Sequence, residues 1–445
     1  MNYKFSTILV TLLLTMTFFM MPMYGYASEN NIRVGIWSSQ RNLLISADVG
    51  FEVMNADNGQ SLGKFAMNEK AVIAFKENEI ILNGKRVDAT NLSIMKIIND
   101  KEHSIEVNKK KYRGTIDIHI TNGNTGLTVV NTLPIEQYLY GVIAKEISPN
   151  WPMEAIKAQA VAARTYALYN MNKHQRDGYD VCATTDCQVY GGKDSEAPTG
   201  IKAVDATTGQ VILYKGNPIA AFFHSSSGGY TENSENVWGT YLPYLRGVVD
   251  YDQKSPQYSW EKQLTPNELE ETISRSGYNI GKIKAIGISP FTNQPMKIKD
   301  RGVSGRVKVI EVIGTTGSIE LTGEKLRKIL SLNSTLFDIH LMVPVQKSIE
   351  FQIADNVGNQ SSKKVEINLP PTNEKGYVTD KEDLRRISGN PNETIVITGF
   401  GWGHGIGLSQ WGAKAMAEKG PQQDATYFKE ILKHYYQDVE IKKVF

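Results

Sequence analysis

The sequence predicts an α+β fold, because its β-rich and helical stretches occupy separate parts of the chain. Three observations carry this. From about Asn31 to Thr132, short β runs alternate with turn signals. A helical period takes over at Pro134 and holds to about Lys173. Strand and helix patterns then mix as far as Val444.

At the N-terminus, Lys4 precedes an apolar run from Ile8 to Met21, and Gly25-Tyr26-Ala27 offers a small-x-small site. That pattern reads as an export signal over residues 1–27, cleaved after Ala27, with an uncleaved membrane anchor as the alternative. The expectation is a secreted or cell-wall-associated protein. Residues 28–110 form a β-rich region. IRVGIW, NLLISA, FEVMN, AVIAFKE and EIILNG are separated by turn-forming pairs such as Asn58-Gly59 and Asn83-Gly84. Alternation of Ile116, Ile118 and Ile120 suits a half-buried strand.

Tyr138, Leu139, Val142 and Ile143 then share one helical face, and Pro149 is placed to stop that helix. Asn150 is positioned to cap a second helix, with Pro152 in its first turn. This helix carries Ala155, Ala158, Ala160, Ala162, Ala163 and Ala167, a composition that suits a tightly packed central position. RVKVIEVIG and TIVITGF read as later strands, Thr322 to Leu332 as a helix, and residues 341–393 as an inserted β segment. With 49 basic and 47 acidic residues the chain lacks the basic excess of a nucleic-acid binder.

Candidate functional residues cluster in two stretches, GVIAKEISPNWPMEAIKAQAVAARTYALY and GFGWGHGIGLSQWGAKAMAEKG. Glu146 ends the first helix ahead of the Pro149-Asn150-Trp151-Pro152 bend. A carboxyl stripped of water beside Trp151 would hold its proton more tightly, as a general acid requires. The bland reading is a surface glutamate at a helix end. Lys157 and Arg164, seven apart, share a helix face with Glu154, as a solvated ion-paired stripe or as a cationic groove wall for a ligand carboxylate. His404 sits among four alternating glycines that fit no nucleotide-binding register. Those glycines either form a tight turn or admit a ligand closely. His224-Ser225-Ser226-Ser227 lacks a nucleophile elbow. Cys182 and Cys187 are the only cysteines, open to a disulfide, to reduced thiols or to a metal site.

At these residues the chain resembles the stage II sporulation protein D family. The likeness runs in order through YRGTIDI, VVNTLPIEQYLYGVIAKEI, EAIKAQAVAARTYA, DVCATTDCQVYGG, FFHSSSGGYTENSENVWG, SGRVKVIEV, LTGEKLRKIL and GWGHGIGLSQWGA. It covers residues 111–445, with 341–393 as an insertion. The resemblance implies a peptidoglycan lytic transglycosylase acting on glycan strands freed of stem peptides by a partner cell-wall amidase. Glu146 falls on the family's catalytic glutamate, Lys157 and Arg164 on groove residues, and Tyr230 and His404 are expected to line the cleft. No cofactor is implied. Some members bind zinc with two cysteines and two histidines, but Arg176 and Asp186 stand where those histidines would be, so no metal is expected. Two rival readings remain: a non-catalytic enhancer of an N-acetylmuramoyl-L-alanine amidase, and a hydrolase using Glu154 or Asp186 as a second carboxylate.

Overall fold

The computed structural model describes residues 31–445 apart from 99, 101, 343–347, 355–359, 367–376, 379–382, 391 and 422. The expected export signal lies outside the described residues. Among those described, no helix is long and apolar enough to cross a membrane.

Two antiparallel-rich sheets form the N-terminal part. The seven-stranded sheet runs Val181–Cys182, Asn31–Gln40, Leu127–Pro134, Thr115–Ile120, Asn91–Lys96, Phe51–Asn55, Ser61–Phe65. It therefore draws strands from both sides of residue 110. The six-stranded sheet runs from Lys110–Tyr112 through Ile105–Val107, Asn42–Ala47, Ala71–Lys76 and Glu79–Leu82 to Lys85–Val87. Alternating residues such as Phe51 and Val53 from one sheet and Leu43, Ile45 and Ile73 from the other meet in one core. At the Asn83-Gly84 hairpin, φ of 48° and 81° gives the two-residue turn that matches strand twist.

The strand Leu127–Pro134 feeds directly into helix α1, Ile135–Glu146. Tyr138, Leu139, Val142 and Ile143 are buried on one face, as their spacing requires. The helix stops at Glu146 because Ile147 turns extended (φ −136°, ψ 146°), two residues before Pro149. Helix α2, Met153–Tyr169, begins after Pro152 with no side-chain cap, so Asn150 does not cap it. It ends before Lys173, where Asn172 takes a left-handed φ of 69°. Its alanines let α1, α3 (Pro198–Ala206), α7 (Gln410–Lys419) and α8 (Phe428–Tyr435) pack around it. Twelve of its 17 residues are buried. That makes α2 the central helix.

The chain between the short helix α4 (Ser234–Trp238) and α7 builds a second core. It gathers α5 (Pro266–Arg275), α6 (Gly323–Leu330) and the strands Ser259–Leu264, Ile283–Gly287, Val309–Gly314, Ser318–Thr322, Phe337–Met342 and Thr394–Phe400. Thr265 and Glu268 close a reciprocal capping box on α5. Phe337–Met342 pairs directly with Thr394–Phe400, although the segment 343–393 separates them in the chain. Within it, Ser348–Ala354 pairs with Gln360–Glu366.

Candidate active site

Glu146 opens into a cavity of about 330 Å³ lined by Tyr166, Thr185, Cys187, Gln188, Val189, Phe222, Phe223, Trp238 and His404. Its position on the last turn of α1 follows from the break at Ile147. There the unpaired carbonyl ends of the helix disfavour negative charge. Burial among the cavity's apolar groups raises its pKa above the ordinary carboxylate value. A single opposing contact, the Val189 backbone N–H donating to Oε1 at 3.2 Å, favours the ionised form. The desolvating wall is not Trp151. That indole packs edge-on against Trp411 at 4.9 Å, with the Lys414 ammonium over both rings. Tyr166, whose hydroxyl is held protonated by burial, and the Phe222-Phe223 pair are the nearer walls, a role the helical pattern alone did not reveal.

Lys157 and Arg164 do not reach this cavity, which corrects the expected cationic groove. Arg164 is fully buried. Its Nε and Nη2 donate to both Glu136 oxygens at 2.9 and 2.6 Å. Its remaining donors reach the Val204 and Gln210 carbonyls, each at 3.2 Å. Lys157 donates to Glu154 Oε1 at 2.7 Å and to the Ala425 carbonyl at 2.9 Å. Glu154 in turn accepts from the Phe428 N–H at 3.0 Å, tying α2 to the start of α8. Both cations are consumed by the fold. Tyr230 is also corrected: it bridges Val249, lies against Gly247, and does not line the cavity.

His404 does line it, but as a fixed neutral ring. Its Nε2–H donates to the Phe223 carbonyl at 3.0 Å, and its Nδ1 accepts from the Ile406 N–H at 3.0 Å. Burial, and then the Arg306 charge, lower its pKa to about 3. With both nitrogens used, it cannot shuttle protons. Its neighbouring glycines serve packing. A Cβ on Gly405 (φ 78°) would stand 2.1 Å from Arg306 Nε, and one on Gly407 (φ 70°) 2.2 Å from the Phe222 carbonyl. Arg306 in turn donates to the Gly403 and Ser227 carbonyls at 3.1 and 2.9 Å. The second core thus braces the cavity's glycine loop. Ser226 and Ser227 are buried donors to Asp252 and Asp250, at 2.5 and 2.6 Å, and stitch loops together.

Cys182 and Cys187 are free thiols, not a disulfide. The loop before them folds back, so one ligand atom each from His174, Cys182, Asp186 and Cys187 lies within 4.8 Å of the others. An imidazole therefore does stand beside the thiols, two residues before the position where the sequence sought one. In kind and number this set fits zinc, which would require deprotonated thiols. Lys173 Nζ also holds Asp186 Oδ2, at 3.0 Å. The loop matters to the cavity because Cys187, Gln188 and Val189 continue directly into its wall.

The fold and site define a mixed α+β protein with one poorly hydrated carboxyl in an aromatic cleft. The chain belongs to the stage II sporulation protein (SpoIID) family, whose model matches residues 123–214. A second model, for a domain of unknown function (DUF8618), matches residues 234–354. An uncharacterized protein of Brachyspira hyodysenteriae is 31% identical over 95% of each chain. Stage II sporulation protein D of Bacillus subtilis is 29% identical over 71% of this chain and 76% of its own. The amidase enhancer of Bacillus subtilis is 32% identical over 75% of this chain, a match spanning 44% of the enhancer's length.

Proposed function

We propose that this protein is an exported cell-wall remodelling enzyme, a lytic transglycosylase that cuts peptidoglycan glycan between MurNAc and GlcNAc. One observation carries the reading: among the described residues lining the cavity, Glu146 is the single carboxyl. Glu154 is committed to Lys157 and the α8 backbone, and Asp186 to Lys173 and His174. Hydrolytic glycosidases ordinarily need two carboxyls. One suffices when the second nucleophile belongs to the substrate.

In the proposed reaction, protonated Glu146 donates to the glycosidic oxygen as the C1–O bond breaks and positive charge develops on the ring. The resulting carboxylate takes the proton from the sugar's own 6-hydroxyl, whose oxygen bonds to C1. The product is a 1,6-anhydro end, no water is consumed, and Glu146 returns protonated. Tethering of the 6-hydroxyl favours closure over attack by solvent. Burial supports the protonated starting state.

A second reading, stimulation of a cell-wall amidase without catalysis, is favoured by the similarity to the amidase enhancer. Mass spectrometry of glycan strands treated with protein alone decides between the readings. The expected products are anhydro-ended saccharides, abolished in Glu146→Gln. Unaltered glycan supports the enhancer, and products one water heavier would reject the single-carboxyl mechanism.

A further inference from the structure

We propose that Trp238 is the stacking platform for a pyranose ring of the substrate, and that the cleft selects glycan by apolar stacking instead of by ion pairing. This rests on the glycan-cleaving reading and adds the residue that binds the sugar.

The cavity's aromatic residues are not equivalent. Phe222 is sandwiched, its ring 4.4 Å from Trp238 and 5.6 Å from Tyr166. Phe223 packs against Tyr166 at 6.4 Å. His404 spends both nitrogens on backbone. Trp238 alone among them is a large hydrophobic group left 41% exposed. Its indole is tilted 51° to both the Phe222 and the His404 rings, at 4.4 and 5.1 Å.

The segment that carries it is fixed before any ligand arrives. Trp238 ends α4, and Gly239 stops the helix with a left-handed φ of 76°. Asn236 donates to the buried Glu232 carboxylate at 2.8 Å, and that carboxylate also accepts from the Val303 and Ser304 N–H groups at 3.0 Å. The Ser234 hydroxyl accepts from the Leu242 N–H at 2.8 Å. The Arg246 guanidinium grips Glu235 through two donors, at 2.8 and 2.5 Å. An exposed indole held this firmly loses little conformational freedom on binding.

An indole face carries negative quadrupole density and is apolar. The axial C–H face of a hexose is weakly positive and poorly hydrated, so the two match. A ligand carboxylate has no comparable partner here, because no Lys or Arg lines the cavity among the described residues. Binding should therefore be nearly independent of salt.

The test is calorimetric titration of full-length protein with a β-1,4-linked N-acetylglucosamine oligomer and with denuded glycan strands. Trp238→Ala should raise Kd about tenfold or more, and Trp238→Phe about threefold. In turnover of glycan, the loss should appear in KM before kcat. The titrations are repeated in the Glu146→Gln background, where cleavage is absent, so that loss of cleavage and loss of stacking are read separately. A wild-type Kd for Trp238→Ala, or affinity that falls steeply with salt, overturns the proposal. To guard against misfolding of the alanine variant, 5-fluorotryptophan labelling gives a resonance assigned to Trp238 by its absence in Trp238→Phe. That signal should shift on titration, and an unmoved signal at saturation refutes the platform.

Discussion

Replacing Arg164 by Met should damage stability, not substrate recognition. The guanidinium, itself closed to solvent, makes a bidentate pair with the partly exposed Glu136 and donates to two backbone carbonyls. Methionine keeps part of the volume and none of the donors. Glu136 then retains only the Gly209 N–H, at 2.9 Å, and the Val204 and Gln210 carbonyls lose their side-chain donor. Removing one partner of a buried pair costs about 3–5 kcal/mol. Glu136→Gln, which keeps an acceptor for the guanidinium, should cost less, about 1–3 kcal/mol. Urea unfolding followed by far-UV dichroism measures both, while glycan cleavage is normalised to folded protein. The expected result is a large drop in unfolding free energy with near-normal specific activity. Wild-type stability combined with lost activity would refute the reasoning and restore Arg164 as a ligand-binding residue.

The pH behaviour of Glu146 follows from its raised pKa. Because the folded state holds this proton more tightly, no penalty exists below the unfolded pKa. The penalty grows as pH rises from the unfolded to the folded value, then stays constant. Glu146→Gln should accordingly be as stable as wild type at low pH and more stable near neutrality, and kcat should fall as pH rises through the folded pKa. Two-dimensional NMR of the imidazoles should show His404 as the neutral Nε2–H tautomer down to about pH 4, given a pKa lowered to about 3. Gly405→Ala should destabilise by about 2–4 kcal/mol, because its methyl meets Arg306 and its φ of 78° is left-handed. Differential scanning calorimetry checks this.

Local pattern carried the elements well. The isoleucine alternation, the Asn-Gly turns and the buried face of α1 were legible because each depends on near neighbours. The alanine content of α2 foretold its central place, since only small side chains let four helices approach it. Legibility failed where partners came from afar. Nothing near Arg164 in sequence announces Glu136 on another helix, so an arginine tied into the fold read as a groove wall. The histidine sought at position 176 or 186 is supplied instead by His174, which the intervening turn brings beside the thiols. Glu146 was legible as a poorly hydrated carboxyl, but the cause of its dehydration was misplaced. Trp151 is a sequence neighbour that packs on Trp411 and does not line the cavity, whose wall comes from Tyr166 and residues 222, 223, 238 and 404.

That division of the cavity has a consequence for how such a protein can change. Glu146, Tyr166 and residues 185–189 sit in the stretch matched by the family model, whereas Phe222, Phe223, Trp238 and His404 lie beyond it. Glu146 and the aromatic surface that completes its cavity therefore come from distant lengths of chain. Because residues 222, 223, 238 and 404 also shield Glu146 from water, exchanging that bank would alter the carboxyl's hold on its proton together with the shape of the cleft.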